Sequence, residues 1–147
     1  MLTRQLTRFA PVLFNGGSSL TAQVQALFAS RAGGMWDMGD IATLFQDTAG
    51  STPVTAVTQP IARVNDKSGN GNHATQPTAG SRSLYQVVST YGCAQFDGVN
   101  DLFSVAGVNL SSTDKLLFGM AFKPNLTSVS LAVEYSTNVG GNSGSFY

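Results

Sequence analysis

Turn-forming residues recur along most of this chain at short and fairly even intervals. From residue 50 onward they stand about 8 to 12 positions apart, and the segments between them are short and rich in residues that favour strands. The turn residues are Gly50, Pro60, Gly69, Asn70, Gly71, Gly80, Gly92, Gly98, Gly107 and Pro124. This spacing predicts an all-β domain.

Two segments have the patterns of the two kinds of strand that a β-sandwich contains. Residues Val129–Tyr135 alternate between large and small or polar side chains, which predicts a strand with one buried face. Residues Leu116–Phe122 are apolar on both faces, which predicts a central strand that is covered on both sides. Together they favour a sandwich of two sheets.

The N-terminal region has a different pattern. Residues 1–17 contain no acidic residue and end in Gly16-Gly17, which predicts an extended arm. The apolar residues that follow have helical spacing, so we predict an amphipathic helix over Ser19–Ala32 that docks on the protein itself or on a partner. The apolar positions are Leu20, Val24, Leu27 and Phe28. A second short helix is predicted at Ile41–Phe45, where Asp40 can cap the first free N–H groups.

The balance of charges and the length of the apolar runs argue against nucleic acid as a partner and against a membrane span. The chain has 147 residues, enough for about one domain, and eight basic residues balance eight acidic ones. Because no basic excess exists to neutralise phosphates, nucleic acid is not an expected partner. No apolar run approaches the roughly 18 residues of a membrane span, so no membrane span is expected. Cys93 is the only cysteine, so folding requires no internal disulfide.

The segment Asp66–His73, with the sequence DKSGNGNH, is the most distinctive local motif. Asp66 and Ser68 can accept hydrogen bonds from N–H groups that follow them, which predicts a tight and self-satisfied turn. A calcium loop is the functional alternative, but one carboxylate is too few, and Asp97 or Asp101 would have to come from elsewhere. We therefore predict a structural turn and no metal ligand here.

A second turn motif, FDGVND, occupies Phe96–Asp101. The pair Asp97-Gly98 lies between apolar segments, which predicts two strands joined by a hairpin. The spacing does not match an EF-hand, and one histidine and one cysteine in the whole chain provide no other metal cluster.

The sequence contains no clear catalytic constellation. His73 and Cys93 lie on different segments, so we expect His73 to cap a turn and Cys93 to pack within a strand over Tyr91–Phe96. Glu134 is the only glutamate, and its neighbours on the same strand face carry no carboxyl that could be its partner in glycoside hydrolysis. We predict no catalytic residue, no cofactor and no enzymatic activity.

Aromatic side chains are the remaining candidates, because they can stack on sugar rings. The candidates are Trp36, Tyr85, Tyr91, Tyr135 and Tyr147. Aromatic residues at strand positions are more often part of a core. Trp36 follows the Gly33-Gly34 break, and we expect it to begin the first strand and to be mostly buried.

Several segments together carry a family resemblance. They are ALFA at 26–29, GMWD at 34–37, TLFQD at 43–47, TPVTAV at 52–57, QPI at 59–61, DKSGNGNHATQ at 66–76 and FDGVND at 96–101. Over about residues 26–136 the chain resembles bacteriophage and prophage virion proteins that carry a laminin-G-like, concanavalin-A-like jelly-roll domain. It departs from them at Trp36–Asp40, where the family usually has Trp-Tyr-Asp-Pro-Ser-Asp before the next helix. Such jelly rolls are usually longer, and we expect this chain to be the N-terminal part of a longer fibre protein. The alternative is that neighbouring chains complete its half of the sandwich.

The resemblance implies a domain organisation and a function. Residues 1–32 would form an anchoring arm and helix, and residues 33–147 a jelly-roll β-sandwich. The chain would be a structural, non-enzymatic tail fibre or tail-associated protein of the virion, made in the cytoplasm of the bacterial host. Its partners would be other virion proteins of the tail or near the portal, further copies in a homotrimer, and a host surface glycan. The alternative is a lectin-like module that binds bacterial surface glycan; an enzyme acting on polysaccharide is disfavoured by the missing acids.

Overall fold

The computed structural model describes residues 19–109 and 118–123 and the strand pair 133–134 and 145–146. The chain divides into two compact units between Asp114 and Lys115, and each unit is described here by itself. In the described residues, no helix has the length and apolar character needed to cross a membrane. The predicted arm over residues 1–17 lies outside the described residues, and the predicted domain boundary after residue 32 stays a prediction.

The first unit begins with a short helix, α1, over Leu20–Ala26. Ser19, the predicted first residue of the helix, is its N-cap, because the Ser19 hydroxyl accepts a hydrogen bond from the Ala22 N–H at 3.2 Å. The predicted C-terminal end at Ala32 is wrong, and the chain after Ala26 continues as turns with three-residue hydrogen bonds, as from Leu27 to Val24. No residue of α1 is buried and Leu20 is 76% exposed, so little packing extends the helix.

Four two-residue strands form an antiparallel sheet in the order β1-β2-β3-β6. Their bounds are β1 Leu44–Phe45, β2 Arg63–Val64, β3 Ala74–Thr75 and β6 Ser104–Val105. A single 3-10 turn over Ile41–Thr43 precedes β1, and Asp40 caps it as predicted. The predicted helix ends earlier than Phe45 because Leu44 and Phe45 are extended and pair with β2.

A longer hairpin forms the second sheet. It consists of β4, Leu84–Val88, and β5, Tyr91–Gln95, in antiparallel register with Tyr85 opposite Ala94. Main-chain hydrogen bonds join it to the rest of the unit, from Ile61 to Ser83 and from Tyr85 to Gln59. Tyr85 of β4 and Ala94 of β5 pack into the same apolar cluster as residues of the four-stranded sheet.

Both sheets contribute to one small core. Its buried apolar residues are Leu44, Val54, Ile61, Val64, Ala74 and Tyr85, and Trp36, Met38, Ile41, Ala94, Phe103 and Val105 pack partly against them. Each buried side chain is close to fully shielded from water, which makes this cluster the main source of stability in the first unit. The predicted all-β class is confirmed, with antiparallel sheets and one short helix in the described residues.

Two local predictions in the first unit are wrong. Phe96–Asp101 does not join a hairpin, because β5 pairs with β4 whereas β6 pairs with β3. The segment instead carries the chain between the two sheets, and the Phe96 and Phe103 rings meet edge to face at 5.9 Å across it. Trp36 lies outside any strand and is half-buried, since β1 starts later, at Leu44.

The second unit corrects another prediction. Residues 118–123 form no strand, and Phe118, Met120 and Phe122 are 49%, 47% and 66% exposed, so the central covered strand predicted there is wrong for these residues. A strand pair joins β7, Val133–Glu134, to β8, Ser145–Phe146. The alternation predicted across Val129–Tyr135 otherwise lies outside the described residues.

Candidate functional site

The connection between β2 and β3 contains the DKSGNGNH motif, and its centre is the Asp66 carboxylate. One carboxylate oxygen, Oδ1, accepts from the N–H groups of Met35 and Ser68, both at 2.8 Å. The other, Oδ2, accepts from the Ser68 hydroxyl at 2.7 Å and from the Asn72 N–H at 3.0 Å. Four donors thus converge on one half-buried acid, which confirms the predicted self-satisfied turn.

The same loop binds the segment that follows α1. The Trp36 indole N–H donates to the Asn72 carbonyl at 2.7 Å, and the Asn72 side-chain amide donates to the Gly33 carbonyl at 2.6 Å. The Asn70 amide donates to the carbonyls of Arg31 and Gly33 at 2.9 and 3.1 Å. We call the contacts of loop 66–73 with residues 31–37 the loop clamp.

Lys67 adds an electrostatic link to the loop clamp. Its ammonium group lies 3.1 Å from Asp37 Oδ2 and 2.8 Å from Asp40 Oδ2. The hydrogen bond with Asp40 raises the pKa of Lys67 against the opposing effect of partial burial, and the same bond lowers the pKa of Asp40. The Lys67 carbonyl also accepts from the Gln25 side chain at 2.8 Å, which connects α1 to the loop.

His73 closes the turn from its other end. Its Nδ1 accepts a hydrogen bond from the Asp66 N–H at 3.1 Å, so His73 caps the turn as predicted. His73 therefore orders the loop, and the described residues give it no nucleophile partner.

The chemistry of the loop opposes a bound cation. Burial raises the pKa of Asp66, but hydrogen bonds from Met35, Ser68 and Asn72 outweigh it and hold the pKa below its ordinary value. A calcium ion would have to replace N–H and O–H donors that already occupy both oxygens. Across the described ranges, no three side chains of histidine, cysteine, aspartate or glutamate lie together where they could hold a metal ion.

The FDGVND motif is a second closed turn. Asp97 Oδ1 accepts from the N–H groups of Val99 and Asn100 at 2.8 and 3.2 Å. The Asp97 N–H in turn donates to Asp101 Oδ2 at 2.9 Å. The hydrogen bond from Val99 is the main cause of the lowered pKa of Asp97. These acids stabilise their own turn and are not brought to Asp66.

The other predicted residues lie apart from the loop clamp. Cys93 is a free, half-buried thiol in β5, opposite Gln86. Tyr85 is buried in the core, whereas Tyr91 is 78% exposed. Glu134 lies in β7 of the second unit, and Tyr135 and Tyr147 lie outside the described residues.

Sequence reasoning missed the partners of the loop. The motif singled out Asn70 and Asn72 as turn residues, yet their amides bind carbonyls more than 30 positions away. The motif also gives no sign that Lys67 bridges two acids. The acids Asp37 and Asp40, so near each other in a chain with few charges, are a signal that could have pointed to a shared cation.

The chain was compared with known proteins by family models, by curated sequences and by solved structures, and none of the three comparisons found a match.

Proposed function

We propose that this chain is a non-catalytic structural protein of a tailed bacteriophage virion, in the tail fibre or associated with the tail. The main support for this proposal is the Asp66 loop, which is the most specific part of the resemblance. Its polar groups bind one another and residues 31–37. A motif whose polar groups are used in this way organises a fold. The described residues thus favour architecture over catalysis.

The finer features of this proposal come from the resemblance. The two antiparallel sheets would belong to a laminin-G-like, concanavalin-A-like jelly roll over residues 33–147. Residues 1–32 would anchor the protein in the particle, next to tail or portal-proximal proteins, and the chain would work as a homotrimer in host attachment or fibre assembly. In the first unit, two sheets sharing one core are compatible with such a sandwich.

Incorporation into particles tests the anchor. Replacing Leu6 and Phe9 by aspartate is expected to lower the number of copies per particle at least about tenfold, because an arm that docks through apolar residues loses that contact. Thr3→Asp with Thr7→Asp is the matched control, since it adds the same charge at polar positions. The readout is quantitative mass spectrometry of purified particles from the encoding phage. The anchor is refuted if the wild-type chain is absent from particles. It is also refuted if the variant with aspartate at Leu6 and Phe9 is present in the normal number of copies per particle.

A glycan-binding module is the second candidate, and the exposed Tyr91 ring favours it. If it holds, the full chain binds a panel of bacterial surface polysaccharides, and Tyr91→Ala weakens binding about tenfold, as expected for loss of a stacking ring. Our leading proposal predicts that a calcium chelator leaves the melting temperature unchanged, because both Asp66 oxygens are already occupied. Chelator-sensitive glycan binding supports the lectin alternative instead.

A further inference from the structure

Asn70 and Gly71 form an exposed pair in the β2–β3 connection. Gly71 has a φ of 75°, and apart from its two chain neighbours no residue places a heavy atom within 4 Å of the position that a Cβ atom there would occupy. Gly71 has no side chain of its own, so none hinders the approach of its main-chain nitrogen to the Asn70 side chain.

The Gly71 N–H also differs from its neighbours in bonding. The N–H groups of Ser68 and Asn72 donate to Asp66, and that of Asn70 donates to the Ser68 hydroxyl at 3.2 Å. Among the described residues, the Gly71 N–H has no hydrogen-bond acceptor. This nitrogen has no bond to give up before it reacts.

We propose that Asn70 is a site of spontaneous deamidation in the folded protein. A base in the solvent takes the proton of the Gly71 N–H, and the nitrogen attacks Cγ of the Asn70 side chain, so that a new carbon–nitrogen bond closes a succinimide ring. The bond between Cγ and the side-chain nitrogen breaks, and that nitrogen takes up a proton and leaves as ammonia. Water then opens the ring at either carbonyl and produces aspartate or isoaspartate. The net reaction exchanges an amide and water for a carboxylate and ammonium, and needs neither an oxidant nor an enzyme.

The geometry around Asn70 gives the reaction a structural consequence. The amide nitrogen that leaves is the donor to the carbonyls of Arg31 and Gly33, at 2.9 and 3.1 Å. A carboxylate in its place has no proton to donate and presents negative charge to two carbonyl oxygens. Deamidation therefore breaks the two hydrogen bonds of Asn70 in the loop clamp, while Asn72 keeps its own bond to Gly33.

Two internal comparisons make the site testable within one chain. Asn72 lies in the same loop but is followed by His73, whose side chain hinders attack and whose N–H donates to the Gly71 carbonyl at 2.9 Å. Asn15 is followed by Gly16 and so shares the reactive dipeptide, which makes it the reference for the chemistry alone. The inference uses only loop geometry and does not rest on the proposed function.

The experiment follows the full native chain during incubation at mildly alkaline pH and body temperature. Peptide mass spectrometry, with isoaspartyl methyltransferase labelling, is expected to show conversion at Asn70 and none at Asn72. Gly71→Ala is expected to slow conversion at Asn70 at least about tenfold, because its methyl group hinders the attacking nitrogen. An Asn70 that stays intact while Asn15 converts, or equal conversion of Asn70 and Asn72, overturns the proposal.

A second measurement tests the consequence separately. Asn70→Asp reproduces one product directly, and it is expected to lower the melting temperature by about 5 °C, as loss of bonds worth about 1 kcal/mol does in a unit of this size. Gln95→Glu adds the same charge at another exposed position and is the matched control. Equal melting temperatures for the two variants contradict the proposed break in the loop clamp.

Discussion

Asp66→Asn is expected to lower the free energy of unfolding by about 2 to 3 kcal/mol. The substitution keeps the size of the side chain but replaces an accepting oxygen by an NH2 group. That group meets donors, either the Met35 and Ser68 N–H groups or the Ser68 hydroxyl and Asn72 N–H. The measurement is urea unfolding followed by the fluorescence of Trp36, the only tryptophan and itself bonded to Asn72.

Asp101→Asn is the matched control for this change, because Asp101 accepts one main-chain hydrogen bond, from Asp97. It is expected to cost less than about 1 kcal/mol. Equal losses for the two variants mean that the four donors around Asp66 do not act together, and the structural role of the loop is then wrong.

The pH dependence of stability follows from the same carboxylate. The pKa of Asp66 in the folded chain is lowered, so its contribution is fully present above its pKa in the unfolded chain, about 4, and is lost as the pH falls through the lower folded value. Wild-type stability should therefore decrease below about pH 4, and the decrease should be smaller in Asp66→Asn. If the free energy of unfolding decreases equally in the wild type and in Asp66→Asn, then acids other than Asp66 cause the decrease.

Leu44→Ala is expected to lower the free energy of unfolding by about 3 kcal/mol, within the usual range for a buried leucine. Leu44 is fully buried in a core of six buried apolar side chains, so the cavity has few neighbours that can move to fill it. It also lies in β1, where it is opposite Val64 of β2 in the four-stranded sheet. Urea unfolding with far-ultraviolet circular dichroism measures the loss.

Leu20→Ala makes the same chemical change at a side chain that is 76% exposed, and it is expected to change stability by less than about 0.5 kcal/mol. If Leu20→Ala lowers the free energy of unfolding as much as Leu44→Ala does, then Leu20 contributes to the core. A loss near zero at Leu44 would mean that the buried cluster does not support the fold.

Local rules identified turns and caps correctly because their causes are close in sequence. Ser19 and Asp40 cap the segments that follow them, and Asp66 accepts from Ser68 two residues away. In each case one side chain binds an N–H group within a few positions, which is an interaction that a short stretch of sequence can specify. The all-β class followed in the same way from the spacing of turns.

Strand pairing could not be read from the sequence because it depends on distant partners. The segment after β5 has the composition of a hairpin, yet β6 pairs with β3, so the turn at Asp97 joins two sheets. The strands of the four-stranded sheet have two residues each, too few for an alternating pattern. For the candidate site, the motif predicted the internal bonds of the loop but not its binding to residues 31–37.

The loop clamp also determines how a mechanical load would enter this fold. Tension applied to α1 would be passed along residues 31–37, and it would reach the four-stranded sheet first through the hydrogen bonds to the β2–β3 connection, before it reached β1. Several of these bonds join side chains to main-chain carbonyls over more than 30 positions of sequence, so they would have to yield before the sheet is stretched. The bonds of the loop would therefore take up tension before the strand pairing of the four-stranded sheet did.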